Sequence, residues 1–544
     1  MNLLFKLEEL RKLDVISMLE VEFVRFLMSI IPDEKEEVLL AAAACVHAQI
    51  NGHVCLDIEN LKEEYVFNDA KSGIKLTKSI KQQWLQNLEE SELVSRGNEL
   101  KPLVLENGRL YLHRYWKYEE ELSDWLRKKS ASQNAISEES NKVINSLFPA
   151  KADLFETNWQ QIAVCLSFLK DLLVISGGPG TGKTYTVLNI ITAHMLAHPE
   201  QPMRIALAAP TGKAARRLAD SIEEGKKNLP EELRSKHEIP TSALTVHKLL
   251  GSGYRSSHFR FNEENKLPFD IVIIDEASML DITMWVRLIR AIGPNTKLVV
   301  LGDKDQLASV EAGSILGDIC RGENSFSKSV ASSIEQITGS PVPVAKLKSD
   351  IVDSVIFLTK SYRFGEESGI QKFAEAVNNS DDDTAIALLN DPKFTDLTWL
   401  QPTDENINSV IQEYAVQHYN RYMNEPANKR LSASNHKKML CAVRRGRFGV
   451  DTLNQFAERV IRDERQFIKS DEWYPGRIVM STRNDAMLKV RNGEIGLCDG
   501  LEESKILFEG ENSFPVSVAR LKNYEPAYAI TIHKSQGSEF DDVA

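Results

Sequence analysis

Short apolar runs punctuate this chain at intervals that set its organisation. Leu172–Ser176, Met203–Ala209, Ile271–Ile274 and Lys297–Leu301 are largely β-branched or aliphatic, with Arg204 and Lys297 near the starts of two of them, and are separated by longer stretches. Apolar runs of that length predict strands covered on both faces, and their alternation with helical segments predicts a doubly wound α/β sheet. Met439–Val443 and Tyr528–Ile532 predict core strands of a second α/β lobe. Residues 1–115 read as mostly helical, ending in a small β element at 93–97 and 102–112 folded about Asn107-Gly108. Between about 470 and 525 lie short strand-like segments, with turns at Asn492-Gly493 and Glu509-Gly510, that predict a small β-barrel-like insert. The predicted division is an N-terminal, mainly helical docking domain (1–115), a first lobe (116–345) and a second lobe (346–544). The Ser- and Lys-rich stretch 321–350, with Pro341 and Pro343, reads as a mobile insertion. Trp84, Tyr115 and Trp116 are expected in the core.

Composition adds limits. The 544 residues suffice for several domains, and the 42% apolar and 26% charged content is that of a globular protein. A net charge of −12 requires that any polyanion be met by a local basic track. Six widely spaced cysteines with no C-x-x-C pair argue against a zinc ribbon or disulfide scaffold and suit a reducing compartment. The longest apolar stretch, Val38–Ile50, is too short to span a bilayer and reads as a buried alanine-rich helix. Early charges at Lys6, Glu8 and Glu9 argue against a signal peptide. The expected setting is the bacterial cytoplasm, with no membrane contact.

Two constellations carry chemistry. Gly177-Gly178-Pro179-Gly180-Thr181-Gly182-Lys183-Thr184 follows the first lobe's opening strand and opens a helix. In that setting glycines permit close backbone approach, successive N–H groups form an anion nest, and the helix N-terminus adds positive potential. Lys183 is then placed on the β- and γ-phosphates of a nucleoside triphosphate, and Thr184 offers its hydroxyl to Mg²⁺. The run Ile271–Ile274 ends in Asp275-Glu276. Acids at the carboxyl end of a buried parallel strand stand where ligands bind. Asp275 is placed to hold Mg²⁺, directly or through water, and Glu276 to orient and deprotonate the attacking water.

Further motifs complete an ordered set. Ala209-Pro210-Thr211-Gly212-Lys213 begins the segment to Leu218; Thr245-Val246-His247-Lys248 precedes the acidic strand; Leu301-Gly302-Asp303-Lys304-Asp305-Gln306 follows the fourth. Lys360-Ser361-Tyr362-Arg363-Phe364 and His533-Lys534-Ser535-Gln536-Gly537-Ser538-Glu539 lie further on. With the phosphate loop, this series resembles the RecD family of superfamily-one helicases over nearly the whole chain. Gly52–Leu56, Ser95-Arg96-Gly97, Leu110-Tyr111-Leu112 and Gly313–Cys320 extend the likeness to the RecD type of RecBCD enzymes (exodeoxyribonuclease V).

The resemblance implies two RecA-like P-loop NTPase lobes and an ATP-dependent 5′-to-3′ DNA helicase or translocase. It implies a heterotrimer with RecB-like and RecC-like subunits that acts on single-stranded and double-stranded DNA ends in double-strand break repair and recombination. The nuclease belongs to the RecB-like partner, and no nuclease constellation is found here. By the same resemblance Gln160 reads adenine, Gln306 senses the γ-phosphate, and Arg363 is an arginine finger from the second lobe. Thr211, Lys213, His247, His533 and Ser535 track the DNA backbone, and Gln536, Gly537 and Glu539 approach the nucleotide. Tyr185 stands where the family more often has a small hydroxyl residue; Arg447 replaces a usual proline, and Lys489-Val490-Arg491 departs from an apolar pattern. The chain stops at Ala544, before the family's final Thr-Arg-containing motif. That end motivates an alternative expectation, a hydrolysis-deficient ATP-binding and DNA-binding scaffold subunit that regulates a partner nuclease.

Overall fold

A computed structural model describes residues 3–62, 64–148, 157–200, 203–229, 239–253, 258–309, 311–346, 351–363, 365, 367–400, 407–468, 472–485, 487–500, 505–508 and 515–544. The chain forms two compact units. The first comprises Met1–Pro210 and Leu218–Arg363, the second Thr211–Arg217 and Phe364–Ala544.

The first unit begins with three helices, Leu3–Lys12, Met18–Ile30 and Glu36–Ile50. Ser17 and Glu20 form a reciprocal cap that fixes the start of the second. The third is the alanine-rich run, with every residue from Val38 to Val46 buried. Four short strands follow: β1 (Leu56–Asp57), β2 (Val94–Ser95), β3 (Leu103–Glu106) and β4 (Arg109–Leu112), in the order β1-β4-β3-β2. The β3–β4 turn is the predicted one: Asn107 and Gly108 both have positive φ, 49° and 72°, as a two-residue hairpin of this hand requires. Trp84 fills the core beneath this sheet. Trp116 is half-buried, closing on Gly97 and donating to the Glu106 carboxylate (3.2 Å).

The same unit holds a six-stranded parallel sheet: β5 (Leu172–Gly177), β6 (Ile205–Ala209), β7 (Ala243–Thr245), β8 (Ile271–Ile274), β9 (Lys297–Gly302) and β10 (Val355–Leu358). Their order is β10-β5-β9-β8-β6-β7: the chain runs from β5 out to the edge strand β7 and returns through β8 and β9 to β10, so the connections leave neighbouring β5 and β9 in opposite directions. Separate apolar clusters cover its two faces, which is why its strands read as continuous apolar runs. The expected domain limits fall elsewhere on this framework. Residue 115 lies within the helix His113–Ser130, whose Glu121 pairs with Arg290 (2.6 Å), and β10 pairs in parallel with β5 beyond the limit at 345. The stretch read as an insertion contains the helix Lys328–Thr338. Its Val330, Ala331 and Ile334 pack into the core on one face of the sheet.

The second unit contains a parallel sheet of β11 (Lys437–Cys441), β17 (Ala529–Thr531) and β18 (Asp542–Val543), in the order β17-β11-β18. Between β11 and β17 in sequence lie β12 (Ile478–Ser481), β13 (Ile495–Cys498), β14 (Lys505–Phe508), β15 (Val516–Ser517) and β16 (Tyr524–Pro526). They form an antiparallel sheet, β15-β14-β13-β12-β16, whose edge strands do not pair with each other. The predicted insert is therefore an open sheet among the described residues. Gly493 has the positive φ of its predicted turn (83°), and Glu509-Gly510 lies outside the described residues.

Candidate functional site

The phosphate loop leaves the carboxyl end of β5 and enters the helix Lys183–Ala197. Gly180 (φ 75°) and Gly182 (φ 81°) take the left-handed conformation that side chains resist. Gly182 caps the helix without a side-chain acceptor, so no cap competes with an anion for the first N–H groups. Thr181 braces the loop by donating its hydroxyl to the Gly178 carbonyl (2.9 Å). Lys183 folds over the loop and donates to the carbonyls of Gly177 (2.6 Å) and Gly178 (3.1 Å). Thr184 follows it, half-buried.

Gln160 lies in the helix Trp159–Leu169, capped by Asn158. Its side-chain amide donates to the Thr181 carbonyl (3.2 Å), which brings it against the loop. On the other side, the segment after β10 closes over the loop. The Tyr362 N–H donates to the Gly180 carbonyl (2.8 Å) and the Ser361 hydroxyl to the Pro179 carbonyl (3.3 Å). A Cβ on Gly180 would lie 2.3 Å from the Arg363 Cβ. Arg363 therefore belongs to the first unit, next to the phosphate loop. The expected origin in the second lobe is corrected by β10, which pairs with β5 and carries Arg363 with it.

Asp275 and Glu276 leave β8 at the same edge. The Asp275 N–H donates to the Ala208 carbonyl (2.9 Å), and the Asp275 carboxylate accepts from the Glu276 N–H (2.9 Å). Glu276 has φ 53°, ψ 39°, a left-handed conformation uncommon for a residue with a Cβ. It stands directly before the turn Ala277–Met279.

Asp303 belongs to one of the sequence motifs, yet sequence reasoning gives it no role. It follows Gly302 at the end of β9, between β5 and β8, and is 5% exposed. Burial raises its carboxyl above the usual range, while the Asp305 N–H (3.1 Å), the nearby Lys183 ammonium and the Gln306 side chain act in the opposite sense. Gln306 is thereby tied to a buried acid beside the phosphate loop. The only signal for Asp303 in sequence is its place directly after a buried strand, the signal that marks Asp275.

The residues expected on DNA are distributed over both units. Thr211 caps the helix Gly212–Lys227, its hydroxyl accepting from the Ala214 N–H (3.2 Å), and Lys213 contacts the Ser538 hydroxyl. His247 lies in the short helix Val246–Leu249, with Phe259 at 6.0 Å between ring centres. Burial, and then the charge of Arg287, lower its pKa against the opposing pull of Asp281 and Glu311. His533 and Ser535 lie in the turn of helix Ile532–Ser535, where the Ser535 hydroxyl donates to the Ile532 carbonyl (2.7 Å). Next to it are Gln536, Gly537 (φ 68°) and Glu539, which pairs with Arg217.

The first unit thus gathers Gln160, residues 177–184, Asp275, Glu276, Asp303, Gln306 and Arg363 at the carboxyl edge of one parallel sheet. Residues 160–312 match the AAA domain family, and residues 12–111 match the N-terminal domain of RecBCD enzyme subunit RecD. The chain is 30% identical to RecBCD enzyme subunit RecD of Buchnera aphidicola (strain APS), an alignment spanning 100% of this chain and 92% of that protein. It is 32% identical to the subunit of the same name in Mycolicibacterium smegmatis, over 95% and 85% of the two chains. The chain belongs to the RecD family. ATP-dependent RecD2 DNA helicase of Deinococcus radiodurans is 27% identical, over 68% of this chain and 42% of that protein. As a RecD-family member the chain is an ATP-dependent DNA helicase. No helix among the described residues is long and apolar enough to cross a membrane.

Proposed function

We propose that this chain is the 5′-to-3′ motor of a RecBCD-type helicase–nuclease, working beside RecB-like and RecC-like subunits on DNA ends. The observation that carries the reading is the convergence of the phosphate loop, two acidic strand ends and the Arg363 segment on one sheet edge. In this reading Lys183 exchanges its two loop carbonyls for the β- and γ-phosphates of ATP. The loop N–H groups and the end of helix Lys183–Ala197 take the remaining phosphate charge.

Thr184 and Asp275 offer a hydroxyl and a carboxylate, hard oxygen donors of the kind that would hold Mg²⁺. Bound there, Mg²⁺ would neutralise charge on the transferring phosphoryl group. Glu276, turned out of the strand by its left-handed backbone, orients the attacking water and accepts its proton. Gln306, held by buried Asp303, reads the presence of the γ-phosphate. Arg363 stabilises the charge that develops on the transferring group. Gln160 pairs with the adenine edge, and Gln536, Gly537 and Glu539 approach the nucleotide. Thr211, Lys213, His247, His533 and Ser535 contact DNA phosphates, which suits a motor that ignores sequence.

The test is phosphate release by the purified chain with and without single-stranded DNA, beside Lys183→Gln. DNA should stimulate release, and the variant should lose about 100-fold or more of it, the usual scale for removing one preorganised charge-stabilising group. Equal turnover in the variant would remove the loop from the chemistry. ATP binding without release in the unaltered chain would instead identify the scaffold subunit.

A further inference from the structure

The position that departs from the family at the nucleotide site, Tyr185, has a structural setting. It is the third residue of the helix that follows the phosphate loop and is 50% exposed, on a helix whose next ten residues are all buried. Its backbone is anchored, the Tyr185 carbonyl accepting from the Asn189 side chain (2.9 Å). Among the described residues its ring stacks on no aromatic group and meets no cation. Gly182 brings two side chains together. A Cβ there would lie 2.3 Å from the Gln160 amide nitrogen and 4.0 Å from the Tyr185 Cβ. An exposed aromatic ring and a side-chain amide therefore flank the glycine that ends the phosphate loop.

We propose that Tyr185 is the stacking platform for the nucleobase of ATP. Its ring covers the purine face while Gln160 meets the purine edge. The inference rests on the assignment of the loop to ATP and adds the residue that holds the base. The two side chains have separable duties. An aromatic face attracts any purine because every base presents a π surface, so Tyr185 supplies affinity without choosing the base. Hydrogen bonds to the edge distinguish adenine from guanine, so Gln160 supplies the choice. An unpartnered, half-exposed ring on an anchored helix is already in place for this, so stacking requires little further ordering.

Equilibrium binding of ATP, GTP and inorganic tripolyphosphate separates these duties. Tyr185→Thr should weaken ATP and GTP by the same factor, about tenfold for loss of one base–aromatic stack, and leave tripolyphosphate unchanged. Tyr185→Phe should restore both nucleotides, because stacking needs the ring and not the hydroxyl. Gln160→Ala should narrow the preference for ATP over GTP with tripolyphosphate again unchanged. If Tyr185→Thr binds both nucleotides as tightly as the unaltered chain, or weakens tripolyphosphate as much as ATP, the proposal fails. The loop itself is judged by Lys183→Gln, which should weaken tripolyphosphate. If Lys183→Gln leaves tripolyphosphate unchanged, the fault lies in the loop assignment and not in Tyr185.

Discussion

Gly178 and Gly180 stand two residues apart in the phosphate loop and answer different needs. Gly178 faces open space, with no atom within 4 Å of the point a Cβ would occupy, whereas Gly180 has φ 75° and the Arg363 Cβ 2.3 Å from that point. Alanine at 180 must therefore bear a left-handed backbone, about 1–2 kcal/mol, and displace the Ser361–Arg363 segment. We expect Gly180→Ala to lower the melting temperature by several degrees and to reduce ATP turnover, and Gly178→Ala to leave the nucleotide-free melting temperature unchanged. Equal melting temperatures for the two variants would show that the Arg363 segment does not rest on Gly180. The octet at 177–184 is legible in sequence because its requirements are local: a turn, a nest and a helix start. Asp303 is not, since what distinguishes it from Asp305 is burial, and burial depends on strands far away in sequence.

At the scale of elements, legibility follows the length of the apolar run. The strands β5, β6, β8 and β9 stand out as unbroken apolar segments. β7 (Ala243–Thr245) is half exposed and escapes the pattern. β10 (Val355–Leu358), equally apolar, falls in the wrong lobe of the predicted division because its partner β5 lies far back along the chain. The stretch 321–350 misleads for another reason. Its serines and lysines are real, but Val330, Ala331 and Ile334 share one face of the helix Lys328–Thr338, and that face is buried against the sheet. Composition averaged over the window hides such a stripe. Ile334→Ala should cost about 2–5 kcal/mol of first-unit stability, the range for emptying a buried aliphatic site, measured by urea unfolding followed at a first-unit probe. A mobile insertion would lose nothing, so an unchanged midpoint would refute the packed helix.

At the scale of the whole molecule, each unit buries one histidine in neutral form among the described residues, and this couples stability to pH. His194 in the first unit stacks on Phe168, with 3.9 Å between ring centres, and meets the Ser167 hydroxyl at 3.0 Å. His418 in the second meets the Ser434 carbonyl at 3.1 Å. Burial is the main cause that pushes each imidazole down to about 3, with neighbouring cations adding to it. In the unfolded chain both return to about 6.5. The native state therefore binds fewer protons than the unfolded state between pH 6.5 and 3, and stability must rise with pH across that window. Above 6.5 neither state is protonated and the contribution is complete. Below it, each histidine costs its unit up to about 1.4 kcal/mol per pH unit. Melting followed at one unit should consequently fall from pH 6.5 to 5 with a slope that His194→Phe reduces in the first unit and leaves intact in the second. His418→Phe should do the reverse. An acid slope unchanged by both substitutions would place the proton uptake on carboxylates, whose window lies lower, and would remove the histidines from the account.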